Sequence, residues 1–398
     1  MNLQKRCTLI LSAVAFLVML GVTIVSPVLP LYALTFEVSL AMVGGLISGY
    51  GVARIFLDIP AGMMAPKVGV KRFMLIGVSI VAVGALISGT AIDYWMLLSG
   101  RVLEGVGSAV YTTTSFTCMG RIAPVEERGK YMGFYLGMLL FGTVSGPALG
   151  GVIAETFYIN TPFFFYAGFA LFSFLLLLFG VKRDLVESLS KAESDVRLSS
   201  LKPLLKDYSF LAINVAIFTI FVIRIGVINT LAPVFAVFNL GLTEGTVGLV
   251  LTVSALLNFV TMLLVGPLTD RYGRGYFMVS SLMLTGLFTL MIPLAVDMIS
   301  FTVLLALIGL ALGLTGPIMA WVTDITRSEQ LGSAMGIFRT MSDAGFVAGP
   351  VMLTIIAGPT DQALDYPPFL LAGVLIAAAS LLLMRARDPV RQARGENR

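Results

Sequence analysis

Gly266-Pro-Leu-Thr-Asp270-Arg271-Tyr-Gly273-Arg274 is a short charged stretch between two long apolar runs. Gly62-Met-Met-Ala-Pro66-Lys67-Val-Gly69-Val-Lys71-Arg72 stands in the same setting 204 residues earlier. Superposing the two places Gly62, Lys67 and Gly69 on Gly266, Arg271 and Gly273. Continuing at an offset of 203 places Gly129, Met132, Gly133, Gly142, Gly146 and Pro147 on Gly332, Met335, Gly336, Gly345, Gly349 and Pro350. At the first offset, 204, Asp93 falls on Asp297 as well. The chain is therefore internally duplicated, and a reading of one half constrains the other.

The runs that flank these stretches identify the solvent. Of 398 residues, 58% are apolar and 12% charged, too little polar surface to disperse a water-soluble protein of this size. A membrane-spanning helix needs about 20 apolar residues. Twelve such stretches are predicted, at 9–34, 41–65, 72–91, 95–119, 131–154 and 161–181, then at 209–238, 245–266, 276–296, 299–322, 334–357 and 366–384. The first begins like a signal peptide, with Lys5 and Arg6 before an apolar run. That run is too long for a signal core and shows no cleavage site, so it reads as a retained helix. The expected fold class is an all-α membrane protein with twelve transmembrane helices in two pseudo-symmetric six-helix bundles. Expected domains are an N-terminal bundle at 1–181, a cytoplasmic linker at 182–208 and a C-terminal bundle at 209–398.

Charge placement orients the helices. Four of the 26 Lys and Arg residues (Arg54, Arg101, Arg224 and Arg339) lie within predicted helices, and the other 22 all fall on the side of the termini. Loops on the opposite side carry acids such as Glu37, Asp93, Glu155, Glu244 and Asp297. By the positive-inside rule both termini are cytoplasmic, and the net charge of +4 is a topology signal, with no nucleic-acid partner implied. With two scattered cysteines and no histidine, no metal site or other cofactor is expected. A membrane-embedded hydrolase is disfavoured too, because Ser145 and Thr113 have no basic partner within the membrane.

These features together resemble the major facilitator superfamily over essentially the whole chain. The 266–274 stretch is similar to that family's signature between its second and third helices, repeated in the second half. The resemblance implies gating roles for Asp270, Arg271 and Arg274. In the first half Pro66 stands where the family usually places an aspartate. Gly142-Thr-Val-Ser-Gly146-Pro147-Ala-Leu-Gly150-Gly151 is similar to the motif of drug and proton antiporters in the superfamily. In lipid, small residues at that spacing also serve plain helix packing. Arg101-Val-Leu-Glu104-Gly105-Val-Gly107 resembles a third signature, whose arginine is linked to proton transfer. Glu104 here replaces the more usual glutamine. Two parallel repeats further imply a central cleft that opens to alternate sides.

Seven ionisable residues lie inside predicted helices: Arg54, Asp58, Arg101, Glu104, Arg224, Arg339 and Asp343. Each costs about 2.5–3.5 kcal/mol at the centre of a lone helix, so each should face a cavity or a partner. The second and eleventh helices both carry Arg-x-x-x-Asp and run in opposite directions. A rise of about 1.5 Å per residue sets Asp58 level with Arg339 and Arg54 level with Asp343. Given the family's helix arrangement, two crossed gating pairs are expected. The alternative pairs each Arg with the Asp one turn along its own helix. Glu104 with Arg101 is the first choice for proton coupling, and Asp343 or Asp58 the second. Tyr111, Arg224, Asn229 and Trp321, with Arg101 and Glu104, are candidates to line a substrate cavity. Tyr32, Asn214 and Asn258 are weaker ones.

The expected function is a secondary transporter in the cell membrane, exporting small lipophilic compounds in exchange for protons, as a monomer in the lipid bilayer. The alternative is a carrier of a small organic anion held by Arg101 and Arg224.

Overall fold

The computed structural model describes residues 3–122, 127–181, 204–327, 330–358 and 364–388. Most of the predicted linker, residues 182–203, lies outside the described residues. The first half forms α1 (Leu3–Ile24), α2 (Leu29–Leu34), α3 (Leu40–Val68), α4 (Val70–Gly89), α5 (Tyr94–Ile122), α6 (Arg128–Thr156) and α7 (Thr161–Gly180). The second forms α8 (Tyr208–Phe221), a π-helical segment (Val222–Leu231), α9 (Ala232–Phe238), α10 (Glu244–Tyr272), α11 (Arg274–Met291), α12 (Met298–Gly313), α13 (Ile318–Ile325), α14 (Leu331–Ala357) and α15 (Pro367–Leu383). No strand occurs among the described residues. Among the described residues, ten helical stretches are long and apolar enough to cross a membrane. The 17-residue α15 is shorter but equally apolar, and the 29-residue α5 carries the Arg101 and Glu104 charges. Together they account for the twelve predicted crossings.

Three crossings are interrupted, and proline stands at each interruption. The first breaks between α1 and α2 at Pro27, and the tenth between α12 and α13 just before Pro317. In the seventh, π turns precede Pro233, which has no amide to donate, and the Thr230 hydroxyl bonds the Ile225 carbonyl five residues back at 2.7 Å.

The signature stretches differ from the predicted tight loops. α3 continues to Val68 and α10 to Tyr272, so most of each stretch is helix. The turn is confined to Gly69 (φ 98°) and Gly273 (φ 89°), a left-handed conformation that favours glycine at the two matching positions. Asp93 and Asp297 prove equivalent in structure also. The Asp93 carboxylate accepts the Met96 amide at the start of α5, and Asp297 accepts the Ser300 amide at the start of α12, at 2.7 and 2.8 Å.

The chain divides into two compact units: Met1–Val38, Gly45–Ser194 and Thr243–Thr252 in one, and Ser39–Gly44, Asp195–Leu242 and Val253–Arg398 in the other. In the first unit α4 packs on α5 and α7, and α1 on α6 and α7. The α4–α5 contact is a close backbone approach. A Cβ on Gly84 would lie 2.8 Å from the Glu104 amide nitrogen, and one on Gly77 2.8 Å from that of Tyr111. Gly142, Gly146 and Gly150 bring α6 onto α1 at Phe16, Thr23 and Ile24, and Gly151 meets Gly248. In the second unit Gly345 and Gly349 bring α14 onto Phe218 and Val222, and Gly44 meets Pro350 and Thr354. The duplicated glycines thus make duplicated contacts.

Candidate functional site

The densest set of buried ionisable side chains in the first unit is built on the α4–α5 contact. Its glycines bring two backbones close enough for Ser88 of α4 to reach a carboxylate on α5. Glu104 is fully buried and accepts the Ser88 hydroxyl at 2.7 Å. It also accepts a hydrogen bond from Arg101, one turn earlier on the same helix. Arg101 is 3% exposed, and its guanidinium lies 4.8 Å from the centroid of the Tyr50 ring of α3. The Tyr50 hydroxyl donates to Ser108 of α5 at 2.7 Å, which holds the ring beneath the cation.

The same ring is also 5.9 Å from the guanidinium of Arg54. Arg54 is followed along α3 by Asp58, with Nη2 and Oδ2 4.0 Å apart, and Asp58 accepts the Thr113 hydroxyl of α5 at 2.9 Å. Asp58, Arg54, Tyr50, Arg101, Glu104 and Ser88 therefore form a continuous polar file through an otherwise apolar unit. A carboxylate stands beside each cation, and the Tyr50 ring lies near both cations. Charges so placed offset one another where lipid and apolar side chains provide no solvation.

Such a file can do proton chemistry. A hydroxyl both donates and accepts, so Ser88 can donate to ionised Glu104 or accept from its protonated form. Neutralising Glu104 would remove the counter-charge of Arg101 while leaving a carboxyl oxygen able to accept its hydrogen bond.

The remaining candidates sit as follows. Tyr111 is 1% exposed in an apolar cluster with Leu11, Cys118 and Tyr135. Its hydroxyl points to the Leu11 carbonyl at 3.5 Å. Trp321 is fully buried and donates its indole N–H to the Arg387 carbonyl at 3.0 Å. Tyr32 directs its hydroxyl to the Ala91 carbonyl at 3.2 Å. Asn214 donates to the Phe210 carbonyl at 2.8 Å and Asn258 to that of Gly309 at 3.3 Å. Each of these groups directs a donor to a backbone carbonyl of its own unit.

Arg224 and Asn229 both lie in the π-helical segment, half-buried, with the Arg224 guanidinium 6.0 Å from the Phe221 ring centroid. Arg339 and Asp343 stand one turn apart on α14, also half-buried. In the signature stretch Arg274 makes ion pairs with Asp270 at 3.6 Å and Asp324 at 2.7 Å, and Arg271 lies over the Tyr272 ring.

Sequence reasoning missed Ser88, Tyr50, Thr113 and Asp324. The glycines at 77, 84, 100 and 107 were the available signal for Ser88, since they mark where α4 and α5 can touch. Nothing in the spacing pointed to Asp324.

The sequence profile described as Major Facilitator Superfamily matches residues 11–243 and 219–398. The chain is 26% identical over 390 residues to Multidrug resistance protein 2 of Bacillus subtilis strain 168, covering 96% of each chain. It is 27% identical over 352 residues to the multi-drug resistance efflux pump PmrA homolog of Lactococcus lactis, covering 84% of each. Among solved structures, a peptide transporter crystallised with alafosfalin superposes with a TM-score of 0.80 at 12% identity, covering 95% of this chain and 93% of the other. Profile, relatives and fold agree with the duplicated glycine and charge pattern: this chain belongs to the Major Facilitator Superfamily.

Proposed function

We propose that the protein is a proton-coupled exporter of small lipophilic compounds that works by alternating access. The observation that carries this reading is the fully buried Glu104, held between Ser88 and Arg101, in a chain that aligns along its length with proteins named for multidrug resistance. Glu104 is proposed as the proton-coupling carboxylate, with Arg101 as its counter-ion and Asp58 and Asp343 as secondary groups. Arg224 and Asn229 are proposed to line the substrate path. The π-helical segment that bears them supports this, since such wide turns recur at functional sites.

Gating is proposed for Arg54, Asp58, Arg339 and Asp343, on the Arg-x-x-x-Asp pattern that α3 and α14 both carry, and for Asp270, Arg271 and Arg274. Division into two six-helix domains joined by a linker at 182–208 is supported by the repeat. A monomer in the cell membrane with both termini cytoplasmic is proposed, and the asymmetry of Lys and Arg between the loops supports that orientation. The organic-anion alternative is weakened because Arg101 is engaged by Glu104, which leaves Arg224 as its single cation.

Purified protein in liposomes with an imposed pH gradient, supplied in turn with a lipophilic cationic dye and a labelled organic acid, tests the proposal. Gradient-driven movement of the dye with matching dissipation of the internal pH is expected. Movement of the acid alone would replace this reading with the alternative.

A further inference from the structure

Where α15 ends and α8 begins, the second unit has a cavity of about 560 Å³ lined by Lys206, Asp207, Tyr208, Ser209, Arg385 and Arg387. Three of its six lining residues are cationic. The one carboxylate, Asp207, caps α8, its Oδ1 accepting the amides of Ser209 and Phe210 at 2.8 and 3.3 Å, so the lining keeps a cationic excess. No ion pair to Lys206, Arg385 or Arg387 occurs among the described residues, and all three side chains are exposed.

The frame that carries them is built. The Ser209 hydroxyl accepts the Arg387 amide at 2.8 Å, and the Arg387 carbonyl accepts the Trp321 indole at 3.0 Å. Asp388 accepts the Gly275 amide at 2.8 Å, and Tyr208 donates to the Leu382 carbonyl at 2.8 Å. Three helices, α8, α11 and α13, thus fix the backbone on which Arg385 and Arg387 stand. Apolar side chains lie beside it, with Leu205, Leu381, Leu382 and Met384 each 43–60% exposed. A membrane helix that gives way to basic residues here puts the cavity at headgroup depth.

We propose that this cavity binds a phosphate-bearing anion, with its phosphoryl oxygens held by Arg385, Arg387 and Lys206. The exposed leucines and Met384 favour a lipid headgroup over free phosphate, because they offer acyl chains an apolar shelf next to the charges. The site is separate from the polar file of the first unit and does not depend on the proposed substrate or coupling ion.

The test uses the full chain in detergent, with phosphatidylglycerol, phosphatidylcholine or inorganic phosphate added. Bound lipid is read by native mass spectrometry and stabilisation by the unfolding temperature. Wild-type protein should retain phosphatidylglycerol in preference to phosphatidylcholine. The K206A/R385A/R387A triple variant should lose that preference by on the order of a hundred-fold, at a factor of about five per basic residue. A K206Q/R385Q/R387Q variant of unchanged ligand-free unfolding temperature guards against loss of fold. Stabilisation by inorganic phosphate alone, abolished by the same substitutions, supports the site and assigns it to the free anion. Equal retention of both lipids with no effect of phosphate, or ligand effects that survive the substitutions, overturns the proposal.

Discussion

Glu104 is the residue on which the functional reading turns. Glu104→Gln should abolish transport driven by a pH gradient yet leave exchange of substrate down its own gradient measurable. Full gradient-driven transport in this variant would end its assignment to proton coupling. Because the substitution leaves Arg101 buried without its anion, a cost of about 3–5 kcal/mol in stability is expected. The double variant Arg101→Gln with Glu104→Gln removes both charges and should regain part of that loss, which separates coupling from folding in the same assay. Ser88→Ala deletes a hydrogen bond to a buried charged group, worth about 1.5–3 kcal/mol. A lowered unfolding temperature with transport retained is expected there.

Helices α1 and α6 meet through glycine, so the elements are sensitive at chosen positions only. A Cβ on Gly150 would strike the Ile24 carbonyl, whereas one on Gly137 of the same helix meets nothing within 4 Å. Gly150→Ala should therefore destabilise by about 1–3 kcal/mol or more. Gly137→Ala should leave the unfolding temperature unchanged or slightly raised. At the start of α12, the Ser300 hydroxyl and amide hold the Asp297 carboxyl below the usual aspartate value. Its folded pKa is depressed, so the cap contributes above the unfolded value and its contribution fades as pH falls through the lower folded one. Asp297→Asn should keep most of the cap but lose this acid dependence, as read from unfolding temperatures across an acid series.

At the scale of the whole molecule the Arg-x-x-x-Asp patterns of α3 and α14 raise a question that single substitutions leave open. If they gate by crossed pairing, Asp58→Arg and Arg339→Asp should each reduce transport severely, and the two together should restore a substantial part of it. If each Arg serves the Asp on its own helix, the double variant should be no better than the worse single one. Transport in the same liposomes distinguishes the two outcomes.

Apolar run length, charge asymmetry and a repeated glycine pattern were enough to identify an all-α, twice-repeated membrane protein. Lipid makes that inference strong, because a segment there must satisfy its own backbone and is either a long apolar helix or not in the membrane. Gly69 and Gly273 were legible for a similar local reason, although the helices ran further toward them than the loop reading allowed. Partnership was another matter. That Glu104 meets Ser88, that Tyr50 lies under Arg101, or that Arg274 finds Asp324 depends on which helix faces are turned together. Helix packing settles this among residues far apart in the chain, and no spacing along one helix encodes it. The indole N–H of Trp321 likewise meets the Arg387 carbonyl in the segment after α15, a pairing that no local spacing announces.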